Sequence, residues 1–102
     1  MDIIYKGRGK GKSTELIKRS VETNAYIIVP TMQRAYSLKR QAEKLGYPEM
    51  LFPVTIGEYL IYKFRGSYVK HVLLDDADNI LQQIFSDVTI DAISLTDLSD
   101  VD

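Results

Sequence analysis

Lys6-Gly7-Arg8-Gly9-Lys10-Gly11-Lys12-Ser13 is the stretch that decides how this chain folds. Its length and its Gly-Lys-Ser ending fit the phosphate-loop pattern, with Lys6 standing where the first glycine of that pattern is expected. Glycines in such a loop let successive backbone N–H groups turn inward as an anion nest. The N-terminus of the following helix adds partial positive charge. The pattern carries meaning only between a strand and a helix, and both are predicted here. Ile3-Ile4-Tyr5 is a short apolar strand running into the loop. From Ser13 to Thr23 no Pro or Gly interrupts a helix whose Leu16, Ile17 and Val21 share one face. Nucleotide phosphates are then expected on the stretch Gly7, Arg8, Gly9, Lys10, Gly11, Lys12, Ser13 and Thr14. Lys12 reaches the β- and γ-phosphates, and the Ser13 hydroxyl is offered to Mg²⁺, a hard ion that wants oxygen ligands. The alternative is a basic, glycine-rich segment that touches nucleic-acid phosphates without specificity.

Outward from the loop, strands and helices alternate. Ala25-Tyr26-Ile27-Ile28-Val29 is a continuous apolar run stopped by Pro30, as in a strand covered on both faces. Ala35, Leu38, Ala42 and Leu45 recur at helical spacing until Gly46 and Pro48 end the pattern. A short extended piece around Phe52 to Val54 leads into Thr55-Ile56-Gly57-Glu58. There Thr55 and Glu58 form a capping box for a third helix reaching about Phe64. Gly66 breaks it, and His71-Val72-Leu73-Leu74 is another buried strand. Asn79 to Phe85 is a short helix, and Val88 to Leu95 a last strand. This order predicts an α/β fold with a mainly parallel sheet and helices on both faces. Ligands of such sheets bind beyond the carboxyl ends of the strands. The polar residues gather at those ends: the loop after Tyr5, Pro30-Thr31, Asp75-Asp76 and Thr96.

The bulk properties narrow the function. A chain of 102 residues has room for one core, so a single domain over 1–102 is expected. With 45% hydrophobic and 26% charged residues the composition is that of an ordinary folded domain. There is no cysteine and one histidine, His71, which excludes disulfide frameworks and thiolate or multi-histidine zinc sites. No leader or membrane-spanning run is evident, so a cytoplasmic protein with no membrane partner is expected. Net charge is −1, but Lys6, Arg8, Lys10 and Lys12 crowd one loop, while Asp97, Asp100 and Asp102 make an acidic tail over about 97–102.

Val72-Leu73-Leu74-Asp75-Asp76 has the form of an apolar strand delivering an acid to the sheet edge, where Asp75 holds the Mg²⁺ shell and Asp76 stands where a residue can polarise an attacking water. The competing roles are a helix cap, to which Asp78 is also suited, and a solvated surface acid for Asp76. Taken together, the glycine loop, Ile28-Val29-Pro30-Thr31, Leu74-Asp75-Asp76-Ala77-Asp78 and Ser94-Leu95-Thr96 resemble the first RecA-like lobe of helicase-type and terminase-type P-loop ATPases. Arg8-Gly9-Lys10-Gly11-Lys12-Ser13 is similar to the loop of phage terminase large subunits, and the whole resembles small P-loop proteins of phages.

The resemblance implies ATP or ADP with Mg²⁺ as ligands and Lys12 and Asp76 as catalytic residues. It implies Pro30 and Thr31 as a nucleic-acid contact and Thr96 as a γ-phosphate sensor. For Thr31 a helix N-cap is the other role, and for Thr96 a plain strand-end hydroxyl. Two departures bear on chemistry: Asp76 stands where such families usually carry the longer glutamate, and no second lobe is apparent to supply an arginine. Arg34 and Arg40 are expected to be solvated on the second helix, unless an arginine serves in trans in a homo-oligomer. The functional expectation is an ATP-binding protein with weak or partner-dependent ATPase activity in phage DNA metabolism, with DNA or a protein as partner. The alternative is a non-hydrolysing regulatory protein that binds a host ATPase or replication protein. A small nucleotide or nucleoside kinase is disfavoured, because no arginine-rich lid or acceptor-base pocket is apparent after the Asp75 strand.

Overall fold

The computed structural model of the chain describes residues 3–4, 11–64 and 70–94. Most of the glycine loop, Tyr5 to Lys10, lies outside the described residues, as do Arg65, Gly66, Leu95, Thr96 and the acidic tail. The elements run α1 (Lys12–Thr23), β1 (Tyr26–Val29), α2 (Met32–Lys44), β2 (Val54–Thr55), α3 (Ile56–Phe64), β3 (Val72–Leu74) and α4 (Ala77–Ile84). The three strands form one parallel sheet in the order β2-β1-β3. Ile28 is in register with Val54 on one side and with Leu74 on the other. The chain is therefore an α/β protein with a small parallel sheet and helices on both faces.

Alternation along β1 makes the two faces. Ile27 and Val29 point into a cluster with Leu16 and Ile17 of α1 and with Ala35, Leu38 and Ala42 of α2. Ile28 points the other way, onto Ile56 of α3 and Ile80 of α4. Because both faces of β1 are covered, its run of β-branched residues has no polar alternation. Only Tyr26, at the open end, is exposed.

Helix boundaries follow the local chemistry. Gly11, at φ 85, is the left-handed residue from which α1 starts, a conformation that costs other residues about 1–2 kcal/mol. At the far end Ser20 Oγ donates to the Ala25 carbonyl at 2.6 Å, and Asn24 turns the chain through the left-handed region. Gly46, at φ 90, ends α2, with Tyr47 N–H reaching the Ala42 carbonyl at 2.8 Å and Gly46 N–H the Glu43 carbonyl at 3.1 Å. These are the two bonds of a Schellman motif. The capping box at α3 is present. Glu58 N–H donates to Thr55 Oγ1 at 3.2 Å, and Thr55 N–H to Glu58 Oε1 at 3.4 Å.

Several expectations are corrected. The expected strand Val88 to Leu95 is absent over its described part: Val88 N–H is taken by the Phe85 carbonyl at 3.2 Å and the Val88 carbonyl by Gln82 Nε2 at 2.7 Å. A local turn uses the backbone groups of Val88, and Val88 and Ile93 stay exposed. Ile3 and Ile4 carry no strand pairing either, although the Ile4 side chain packs on the α1–α2 cluster. β3 is half-exposed rather than buried, with His71 and Leu74 in solvent. α4 begins at Ala77 rather than Asn79, with Asp76 rather than Asp78 as its N-cap residue. No described helix is long and apolar enough to cross a membrane.

Candidate functional site

Parallel strands place their carboxyl ends on one edge, and β1 and β3 lead there directly. Asp75 follows Leu74, and its N–H donates to the Ile28 carbonyl at 2.9 Å, carrying the ladder one residue beyond β3. Its carboxylate is thereby held over the end of β1 and is buried, 6% exposed. Ser13, the second residue of α1, points to the same place. So does a residue the sequence pattern assigned to solvent. Arg34, in the first turn of α2, donates from Nε to Asp75 Oδ2 at 2.7 Å, from Nη2 to Asp75 Oδ1 at 3.3 Å, and from Nη2 to Ser13 Oγ at 2.7 Å. One guanidinium thus joins the two groups expected to face the metal.

Arg34 was legible in one respect. A helix N-terminus is the positive end of the dipole and favours acids. The first turn of α2 has no acid and carries this arginine instead. A cation so placed needs an anion in front of it, and Asp75 is that anion. The backbone of Arg34 is fixed as well, its N–H donating to Thr31 Oγ1 at 3.2 Å. Thr31 is therefore an N-cap. Arg40, by contrast, is exposed as expected.

The remaining candidates lie around this pair. Lys12 is exposed at the start of α1, and the N-cap residue Gly11 has no side chain to bond the first-turn amides at Ser13 and Thr14. Gly7, Arg8, Gly9 and Lys10 lie outside the described residues. Asp76 is exposed and sits in the left-handed region at φ 58. A hydrogen bond with Asp78 raises its pKa above the ordinary carboxylate value, reinforced by burial and by the charges of Asp78 and Asp75 against a lowering bond from Asn79. The same bond lowers Asp78, helped by backbone bonds and by the nearby charge of Lys12. Gln83 of α4, not singled out by any motif, donates from Nε2 to the Pro30 carbonyl at 2.7 Å and ties α4 to the carboxyl end of β1.

Magnesium is usually held by one or two carboxylates together with substrate phosphates and water. Ser13 Oγ and the Asp75 carboxylate are an all-oxygen pair of that kind. A cationic group already bonds to both, which shows that the position favours positive charge. Among the described residues no cluster of three or more His, Cys, Asp or Glu is arranged to hold a metal. A metal here would take its other ligands from phosphate and water. A separate cavity, of 630 Å³, lies away from these residues on the α3 side of the sheet, walled by Tyr26, Ile28, Tyr36, Phe52, Tyr59 and Val72.

No protein-family model, curated protein or solved structure matches this chain.

Proposed function

We propose that the protein binds a magnesium–nucleotide, ATP or ADP, at the carboxyl edge of its sheet, as a reduced RecA-like P-loop domain. The observation that carries this is the convergence of Ser13 and Asp75, far apart in sequence, on a single cationic group. A phosphate loop and its partner acid must lie close together for the chemistry their patterns suggest, and the bridging of Ser13 and Asp75 by Arg34 supports that reading. In this site Lys12 and the α1 amides bind phosphate, and Ser13 and Asp75 hold the metal. The metal, when bound, neutralises charge that develops on the transferred phosphoryl oxygens. Asp76 lies beside Asp75 to orient a water, on a side chain one carbon shorter than glutamate.

Hydrolysis by the protein alone is slow in this scheme and rises with DNA, self-association or a protein partner, consistent with a role in phage DNA metabolism. The test is titration of ADP and ATP with and without Mg²⁺, for the parent and for Lys12→Ala. The parent binds in the micromolar range, roughly −8 kcal/mol. Lys12→Ala binds far more weakly while keeping its fold, because Lys12 is exposed and outside the core. Equal affinity in the two proteins rules out the phosphate-loop assignment.

A further inference from the structure

We propose that Arg34 is the resident cation of this site, and that a metal ion can occupy the position between Ser13 and Asp75 only by releasing it. The inference rests on the magnesium–nucleotide reading above and deepens it by saying what the metal must displace.

Three hydrogen bonds from one guanidinium take the Ser13 hydroxyl and both oxygens of Asp75. These are the atoms a metal would use. A metal and a guanidinium cannot share them, since a magnesium ligand sits about 2.0–2.1 Å from the ion and two cations at one carboxylate repel. Of the two partners, Asp75 is the fixed one. Its side chain is 8% exposed and its N–H is bound to β1, whereas the Arg34 side chain is 32% exposed and stands on the first turn of α2 with a route to water. The long side chain can leave while its backbone stays on the Thr31 cap. The energetics favour such an exchange over an empty site. A buried carboxylate left unpaired is costly; Arg34 removes that cost until a divalent ion takes its place. A single-charged guanidinium then gives way to a doubly charged ion that brings phosphate oxygens with it. The consequence is a site with a raised magnesium requirement, in which metal and nucleotide arrive together.

The experiment fixes the ADP concentration and varies Mg²⁺, reading nucleotide binding by fluorescence of a labelled ADP. It uses the parent, Arg34→Gln and Arg34→Lys, each checked for fold by circular dichroism. The half-effective Mg²⁺ concentration falls on the order of tenfold in Arg34→Gln, the range usual for coupling between two ligands. Arg34→Lys lies between, because an ammonium lacks the planar fork. A second measurement needs no variant. The Arg34 Nε–H resonance of the parent moves on addition of ADP with Mg²⁺ and stays in place with ADP and a chelator.

A half-effective Mg²⁺ that is unchanged in both variants, with nucleotide still bound, overturns the proposal and makes Arg34 a structural brace. An increased Mg²⁺ requirement also overturns it. So does metal-independent ADP binding that Arg34→Gln abolishes, which would make the guanidinium a phosphate ligand. Failure of the parent and both variants to bind ADP at any Mg²⁺ concentration defeats the nucleotide reading itself, and the displacement proposal with it.

Discussion

At the scale of single residues, Asp75 and Arg34 are unequal partners. Asp75→Asn removes the buried charge and leaves Arg34 able to turn into water, so the loss should be that of a charged hydrogen bond, about 1–3 kcal/mol. Arg34→Ala leaves the buried Asp75 carboxylate without its cation and should cost more. Urea midpoints of the two variants check the order; a larger loss for Asp75→Asn would show that Asp75 holds the sheet edge by other means. Asp76 has its own signature. Its raised pKa means that the native state holds the proton more tightly than the unfolded chain, so this group's contribution weakens as pH rises from the ordinary carboxylate pKa through the raised value. Asp78 is shifted down, and its contribution is present above the ordinary range and lost as pH falls. Asp76→Asn keeps a residue that tolerates the left-handed region and removes the repulsion. Its stability relative to the parent should therefore rise as pH climbs from the ordinary carboxylate pKa through the raised value of Asp76. A pH-independent difference would show that Asp76 and Asp78 do not share a hydrogen bond in solution. Asp76→Glu, the variant that would extend the carboxylate toward a water, also carries backbone strain of about 1–2 kcal/mol at φ 58. Turnover of that variant has to be read beside its stability.

At the scale of elements, helix ends do the positioning. α2 is held at both ends: Thr31 caps its start, and the Gly46 motif closes its end. Lys39 Nζ adds bonds to the Pro48 and Met50 carbonyls at 2.8 and 2.6 Å, fastening the following loop to the helix. Since Arg34 is one turn from Thr31, the cap also sets the aim of the guanidinium. Thr31→Ala should cost about 1 kcal/mol and broaden or shift the Arg34 Nε–H resonance. Thr31→Ser should do neither. If Thr31→Ala left stability untouched but weakened DNA binding, the nucleic-acid role would replace the cap. Thr55→Ala, which breaks the α3 capping box on the other side of β1 from Asp75, should cost a similar amount and leave nucleotide affinity unchanged. That pair of variants separates loss of a cap from loss of the site.

At the scale of the whole molecule, the site joins elements that carry the two cores. α1 and α2 bring Ser13 and Arg34 from one face of the sheet, and β3 brings Asp75 along its edge. A ligand bound across them couples to global unfolding. ADP with Mg²⁺ at a hundredfold excess over its Kd should stabilise the fold by about 2.7 kcal/mol. For a domain of this size each kcal/mol corresponds to roughly 4–8 °C in Tm. Thermal melts with ADP, Mg²⁺, both and neither check this, and Lys12→Ala should abolish the shift. A shift with Mg²⁺ alone would point to a metal site that needs no nucleotide.

The sequence by itself determined the elements whose signals are local. The alternation of apolar runs and helical stripes defined the α/β class. Thr55 and Glu58 placed the start of α3, Gly46 the end of α2, and the acid after an apolar run placed Asp75 at a strand end. Capping and periodicity need only a few neighbouring residues, so they survive without knowledge of the rest of the chain. Tertiary structure decided what depends on neighbours far away. Val88 to Ile93 has strand-forming residues, but a strand needs an edge to pair with, and at its start Gln82 and Phe85 take the backbone groups of Val88 instead. Arg34 lies on a helix pattern that reads as solvated at that position, yet the crossing of α2 over the end of the sheet sets it against a buried carboxylate forty-one residues further along. A long charged side chain takes its partner from where its helix is docked, and docking is fixed by the apolar face of α2, not by the arginine.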